Sequence, residues 1–296
     1  IDVYRELIRM HNEEGLDLTN VETFNLDEYW PIQPDAPQSY HRWMKENLFD
    51  HVNIPAGNIH IPSGTVDEDG VEAHCREFEQ KIEAAGGIDF QILGIGRSGH
   101  VGFNEPGSDA DSRTRRVELD RITRTDAGGD FFGEEHVPHY AITMGVGTIL
   151  DAREIALMAF GEHKAPIIKR AVEGPQTNEV AASFLQNHKQ AMVHVSTAAA
   201  EHLTRIATPW LVEQHCDWDE LLERRAVLWL SQQTGKAILK LTDEDYAEHG
   251  LGELIRIENG AYNVNLTTFK RMMNTITGWP GGKREKKRLL LLSPHP

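Results

Sequence analysis

The sequence predicts an α/β fold, a mainly parallel sheet with helices on both faces, followed by a mixed helical region. Short apolar runs alternate with helix-spaced patterns through the first two-thirds of the chain. Glycines and polar turns separate them, as at Gly86-Gly87. Composition leaves room for the core: 40% of the 296 residues are apolar, which excludes general disorder.

The chain opens helically, with Val3, Tyr4, Leu7 and Ile8 on helix spacing and no capping residue in front. An upstream strand and turn are therefore expected to precede Ile1. Residues 21–26 form the first predicted strand, and 71–85 a helix with Cys75, Phe78 and Ile82 on one face. Gly86-Gly87 ends that helix, and 90–93 is the next strand. Further strands are expected at 141–144, 155–160 and 192–195, with helices at 163–172 and 198–206 after the last two. Beyond Pro209 the pattern loosens into helices at 221–232 and 266–276 and a short strand at 238–241. Trp210, Trp218, Trp229 and Trp279 read as packing residues there. The expected organisation is one domain at 1–206, a connecting region at 207–288 and the start of a second domain at 289–296. Within it, the basic run at 283–288 reads as a solvated linker, and the four leucines at 289–292 as a buried strand.

Charge narrows the function. Thirty Lys and Arg against 46 Asp and Glu give a net charge of −16, which argues against nucleic-acid and anionic-membrane partners. No apolar run approaches the roughly 18 residues of a bilayer span, and no signal-peptide pattern opens the chain. The two cysteines, Cys75 and Cys216, supply neither a disulfide framework nor a metal quartet. A cytoplasmic setting, a small anionic or polar ligand, and no metal or cofactor are expected.

In parallel sheets ligands bind outside the carboxyl ends of the strands, so the residues after each strand matter most. Phe24-Asn25-Leu26-Asp27-Glu28-Tyr29 puts two carboxylates at one such end; shielded from water, a carboxylate there can act as a general base. An acidic turn is the plainer reading of that hexapeptide. Gly94, Gly96 and Gly99 match the dinucleotide fingerprint G-x-G-x-x-G after a strand, and Glu118 lies near the expected ribose-binding position. That fingerprint needs its third glycine to open a helix, and Gly102, Pro106 and Gly107 break any helix here. The segment instead offers an irregular loop that lets backbone approach a ligand, with His100 and Glu105 projecting from it. Imidazole suits proton transfer near neutral pH, and a neighbouring carboxylate fixes its tautomer. Lys164, at a helix start directly after a strand, suits an anion such as phosphate. Arg113 and Arg115 add positive charge on an otherwise acidic chain.

These motifs occur together and in order: Phe-Asn-Leu-Asp-Glu-Tyr, Gly-His-x-Gly-Phe-Asn-Glu-Pro, Ser-Arg-Thr-Arg, Met-Gly-Val-Gly-Thr-Ile-Leu-Asp, and Gly-x-x-Lys-Ala before Ala-Val-Glu-Gly. In this the chain resembles the glucosamine-6-phosphate deaminases from Val3 to about Glu201. The resemblance implies a Rossmann-like fold and an aldose–ketose isomerisation coupled to loss of ammonia, giving fructose 6-phosphate. It implies Asp27 as the base at C2, His100 as the ring-opening group with Glu105 orienting it, and Lys164 on the substrate phosphate. Gly96, Ser98 and Gly99 are expected to line the substrate, and Arg115 matches an arginine of the activator site in regulated members. Homo-oligomers are a further expectation. Two positions depart from the family: Ser98 replaces an aspartate near the histidine, and Asp130 stands where a phosphate-binding arginine precedes Phe131-Phe132. Ser293-Pro294-His295-Pro296 resembles, more faintly, the start of zinc-dependent deacetylases of N-acetylglucosamine conjugates. The rival readings are a non-catalytic sugar-phosphate sensor or scaffold, a sugar lactonase on the same fold, and a nicotinamide-dependent oxidoreductase.

Overall fold

The computed structural model describes residues 1–277, which fall into one unit ending at Leu203 and another beginning at Thr204. Helix α1 (Asp2–Glu14) has no side-chain cap and ends at Gly15 in the left-handed conformation, φ 75°. Strand β1 (Thr23–Phe24) is short; the chain then shifts and starts β2 (Asp27–Trp30). Helix α2 (Tyr40–Asn47) is capped by the Ser39 hydroxyl, and β3 (Ile59–His60) pairs in parallel with β1. Helix α3 (Val71–Ala84) buries Val71, Cys75, Phe78 and Ile82 on its predicted face. There follow β4 (Phe90–Leu93), β5 (Arg115–Glu118), α4 (Arg121–Ala127) and β6 (Tyr140–Thr143). The unit closes with α5 (Val146–Leu150), β7 (Glu154–Ala159), α6 (Ala165–Glu173), β8 (Ala191–Val195) and α7 (Thr197–Ala200).

An α/β architecture results, but not with one sheet type. Strands β4, β7 and β8 form a parallel sheet in the order β4-β7-β8. Strands β2, β6 and β5 form a separate antiparallel sheet with β6 in the middle. The 141–144 run, expected in the parallel sheet, therefore belongs to the antiparallel one. The expected 21–26 strand is also split, because its residues change partner. Asn25 N–H bonds to the His60 carbonyl, the Leu26 carbonyl accepts from Met144 N–H, and Asp27 begins β2 rather than following a strand. Strand β5 escapes notice in the sequence because Arg-Arg-Val-Glu contains no apolar run. The 198–206 helix breaks into α7 and a separate turn, α8 (Thr204–Ala207).

The main core packs Leu93 of β4 with Ile155, Leu157 and Ala159 of β7, Ile149 of α5 and Ile168 of α6, all at most 3% exposed. Each large aliphatic buried this way contributes about 1.5–3 kcal/mol.

The second unit is helical: α8, α9 (Glu220–Thr234), α10 (Asp243–Glu248), α11 (Gly252–Ile257) and α12 (Ala261–Thr277). Its core gathers Leu230, Tyr246, Leu251 and Leu254 around Trp210, which stacks on Trp218 and meets Trp229 edge-on. Those tryptophans pack, as expected. The 238–241 segment is a single 3-10 turn, not a strand. Its N–H groups are satisfied locally, Lys240 by Ala237 and Leu241 by Ile238. Trp279, the basic run at 283–288, the leucines and the last four residues lie outside the described residues.

Glu28 anchors this arrangement from inside. It is 1% exposed, and its carboxyl accepts from Ser39 Oγ at 2.6 Å and from the N–H groups of Tyr29, Tyr40 and His41 at 2.9–3.0 Å. It thereby ties β2 to the start of α2. Glu28→Ala would leave those buried donors unpartnered and should cost about 2–4 kcal/mol in a urea titration.

Candidate active site

The loop joining β4 to β5 is shaped by how closely its backbone passes other groups. At Gly96 an added Cβ would stand 2.0 Å from His100 Nε2, so the imidazole lies directly on that residue. At Gly102, φ 56°, an added Cβ would stand 2.8 Å from Thr143 Oγ1 and 3.3 Å from Asp27 Oδ2. The fully buried Asn104 holds the turn. Its amide donates to the carbonyls of Val101 at 2.9 Å and Met144 at 2.8 Å, and its oxygen accepts from Arg115 at 2.9 Å.

Within this frame the His100 Nδ1 lies 2.9 Å from Ser98 Oγ and 3.2 Å from Glu105 Oε2. A carboxylate only accepts, so Nδ1 carries the proton in the neutral ring and Nε2 is the free base. Burial works to raise the Glu105 carboxyl, but the contact with His100 and the Asp120 N–H outweigh it and hold it below the ordinary value.

Asp27 is prepared in the opposite way. Across the antiparallel sheet it faces Thr143, and its carboxyl has no hydrogen-bond or ion-pair partner among the described residues. Burial, reinforced by the neighbouring Glu28 charge, pushes it up to about 7. Lys164 reaches the same loop from the start of α6, donating from Nζ to the Ile95 carbonyl at 2.7 Å. Burial lowers its ammonium from the ordinary lysine value.

Asp27, His100, Glu105, Ser98, Gly96 and Lys164 thus all border one loop, while Gly99, φ 87°, turns its backbone against Val180. Sequence reasoning took Gly102 as one of the loop-shaping glycines but missed Asn104 and Thr143; Asn104 stands inside the quoted motif, but only its buried amide shows its part. Arg115 is bonded to the same turn. Its guanidinium bonds Asn104 and, at 2.9 Å, Ser108 Oγ, beside an open cavity of about 470 Å³ that Glu105, Asp109 and Ser112 also line. Asp130 is exposed, and its carbonyl accepts from the Gln38 side chain at 2.9 Å.

Residues 1–194 match the family of glucosamine-6-phosphate isomerases/6-phosphogluconolactonase. The chain belongs to that family. A glucosamine-6-phosphate deaminase-like protein of Bacteroides thetaiotaomicron is 49% identical over 99% of this chain, which spans only 46% of that relative. The glucosamine-6-phosphate deaminase of Hahella chejuensis is 48% identical over 70% of this chain and 78% of its own length. A solved monomeric glucosamine-6-phosphate deaminase superposes with a TM-score of 0.65 at 40% identity, covering 68% of this chain and 82% of its own. Among the described residues no helix is long and apolar enough to cross a membrane.

A carboxyl raised on folding stabilises the fold while protonated, and that contribution fades as pH rises from the unfolded value near 4 to the folded value of about 7. Asp27→Asn should therefore be more stable than the wild type at pH 8, with the difference vanishing toward pH 4, in melts across that range.

Proposed function

We propose that this chain converts glucosamine 6-phosphate and water to fructose 6-phosphate and ammonia. The observation that carries the reading is the pairing of a desolvated, unpartnered carboxyl at Asp27 with an independently oriented imidazole at His100 on the same loop. The two proton transfers of such a reaction need separate groups. Nε2 of His100 takes the proton of the anomeric hydroxyl and returns one to the ring oxygen as the C1–O5 bond breaks. Asp27 then removes the proton from C2 of the open aldehyde, the O1 enolate takes a proton from the substrate's own C2 ammonium to give the C1–C2 enaminol, and Asp27 delivers its proton to C1. The resulting C2 imine adds water and releases ammonia. Lys164 takes the phosphate, Ser98 lines the sugar, and Gly96 and Gly99 set the path of the loop that presents His100.

Ser98 supplies a hydroxyl to Nδ1 where the family pattern has a carboxylate, so Glu105 is the charge that orients His100. The cavity beside Arg115 is part of the proposal as a place for an anionic effector. A cytoplasmic setting and homo-oligomeric assembly accompany the reading as expectations, as does a zinc-dependent deacetylase beginning near 289–296.

Assays of ammonia and fructose 6-phosphate released from glucosamine 6-phosphate by the intact protein test the reaction. Asp27→Asn should lower kcat by about 10²–10⁴ with little change in KM, because it removes a base and not a binding group. Turnover surviving that substitution would take Asp27 out of the mechanism. The wild-type kcat should fall below about pH 7 as Asp27 takes up its proton.

A further inference from the structure

Lys164 alone is a poor match for a phosphate monoester, which carries close to two negative charges near neutral pH and three acceptor oxygens. One of its three N–H groups is already given to the Ile95 carbonyl. Asp130 adds negative charge on the stretch after α4. A second cation is present on the loop itself. Arg97 lies between Gly96, on which the His100 ring rests, and Ser98, which bonds that ring. Its Nε sits 3.1 Å from Asp126 Oδ2 near the end of α4, with side chains 54% and 45% exposed. The guanidinium makes no hydrogen bond among the described residues beyond that contact. Exposed pairs of this kind are worth only about 0.2–1 kcal/mol and exchange readily. Lys164 Nζ is anchored on the Ile95 carbonyl, two positions before Arg97 on the same loop, and it feels Asp126 as an attraction and Arg97 as a repulsion. Two like charges beside one another, each loosely satisfied, are an arrangement that a dianion would stabilise. Guanidinium also presents its donors in a fork that matches two phosphate oxygens.

We propose that Arg97 is the second phosphate-binding cation of this site, and that Asp126 holds it in place until the phosphate displaces the carboxylate. The proposal rests on the sugar-phosphate reading above and adds a specificity residue to it. In the intact protein, Arg97→Gln should raise KM for glucosamine 6-phosphate about tenfold, with kcat changed far less. Inhibition by inorganic phosphate should weaken by a similar factor, and Arg97→Lys should recover part of both. Asp126→Asn should act the other way, lowering KM and the phosphate inhibition constant about two- to threefold, since it frees the guanidinium. This second variant carries the test if Arg97→Gln fails to fold.

An unmoved KM in Arg97→Gln, or both substitutions weakening phosphate binding together, overturns the proposal and leaves the pair a structural tie. If the wild type releases no ammonia from glucosamine 6-phosphate, the reaction assigned above fails instead. Calorimetric binding of inorganic phosphate to the wild type and both variants then still decides the matter. Opposite shifts in the two variants support Arg97, and equal shifts or no wild-type binding overturn it.

Discussion

The whole site depends on one buried amide. Asn104 bridges the carbonyls of Val101 and Met144, two segments about forty positions apart, and its oxygen fixes Arg115 on β5. Inside a protein an unmatched carbonyl costs as much as a lost hydrogen bond, so the amide sets the path of the loop and not merely its stability. Once that path is set, the backbone at Gly96 and Gly102 runs within contact of His100 and Asp27, and neither position has space for a side chain. His100 and Asp27 are thereby positioned against backbone, and His100 also against the Ser98 and Glu105 side chains. Backbone cannot adopt another rotamer, so such a support is the more rigid kind.

Asp27 and Glu28 show how adjacent residues of a strand acquire opposite chemistry. Strand pleating sends them to opposite faces. Glu28 meets the start of α2 and is surrounded by four donors, while Asp27 faces the loop and receives none. The fully bonded carboxyl is fixed in place and serves the fold. The bare one is strained electrostatically, and its discomfort as an anion is what suits it to the base role proposed above. The Glu28 charge adds to that discomfort, so the structural residue also tunes the chemical one.

The parallel sheet was legible because its strands are written as apolar runs at 90–93, 155–160 and 192–195, even though only the central β7 is mostly buried and β8 is largely exposed, and each assignment lies within a residue or so of β4, β7 and β8. The antiparallel sheet was not. Strand β5 is mostly charged, and β2 reads as the acidic end of a preceding strand; only long-range pairing with β6 makes either of them a strand. For this reason Asp27 could be picked out by residue type while its placement was misread. It begins an antiparallel strand and does not close a parallel one. His100, Glu105 and Lys164 were easier, since each lies in a glycine-marked loop after an apolar run. The 238–241 segment misleads in the opposite way to β5, an apolar run whose N–H groups are satisfied by a turn instead of a neighbouring strand.

Charge poses the last constraint. A chain with a net charge of −16 repels a phosphorylated ligand at long range, although ions screen that repulsion beyond about 8 Å. Attraction therefore has to be concentrated where the phosphate lands, and it is strongest where water is scarce. In the proposed reading Lys164 meets that requirement: the Ile95 carbonyl holds its ammonium half-buried, and among the described residues no carboxylate forms an ion pair with it. A lysine already paired to a carboxylate would have to lose that partner before it could gain a phosphate. One held by a neutral carbonyl loses much less, so its charge stays available to the incoming anion.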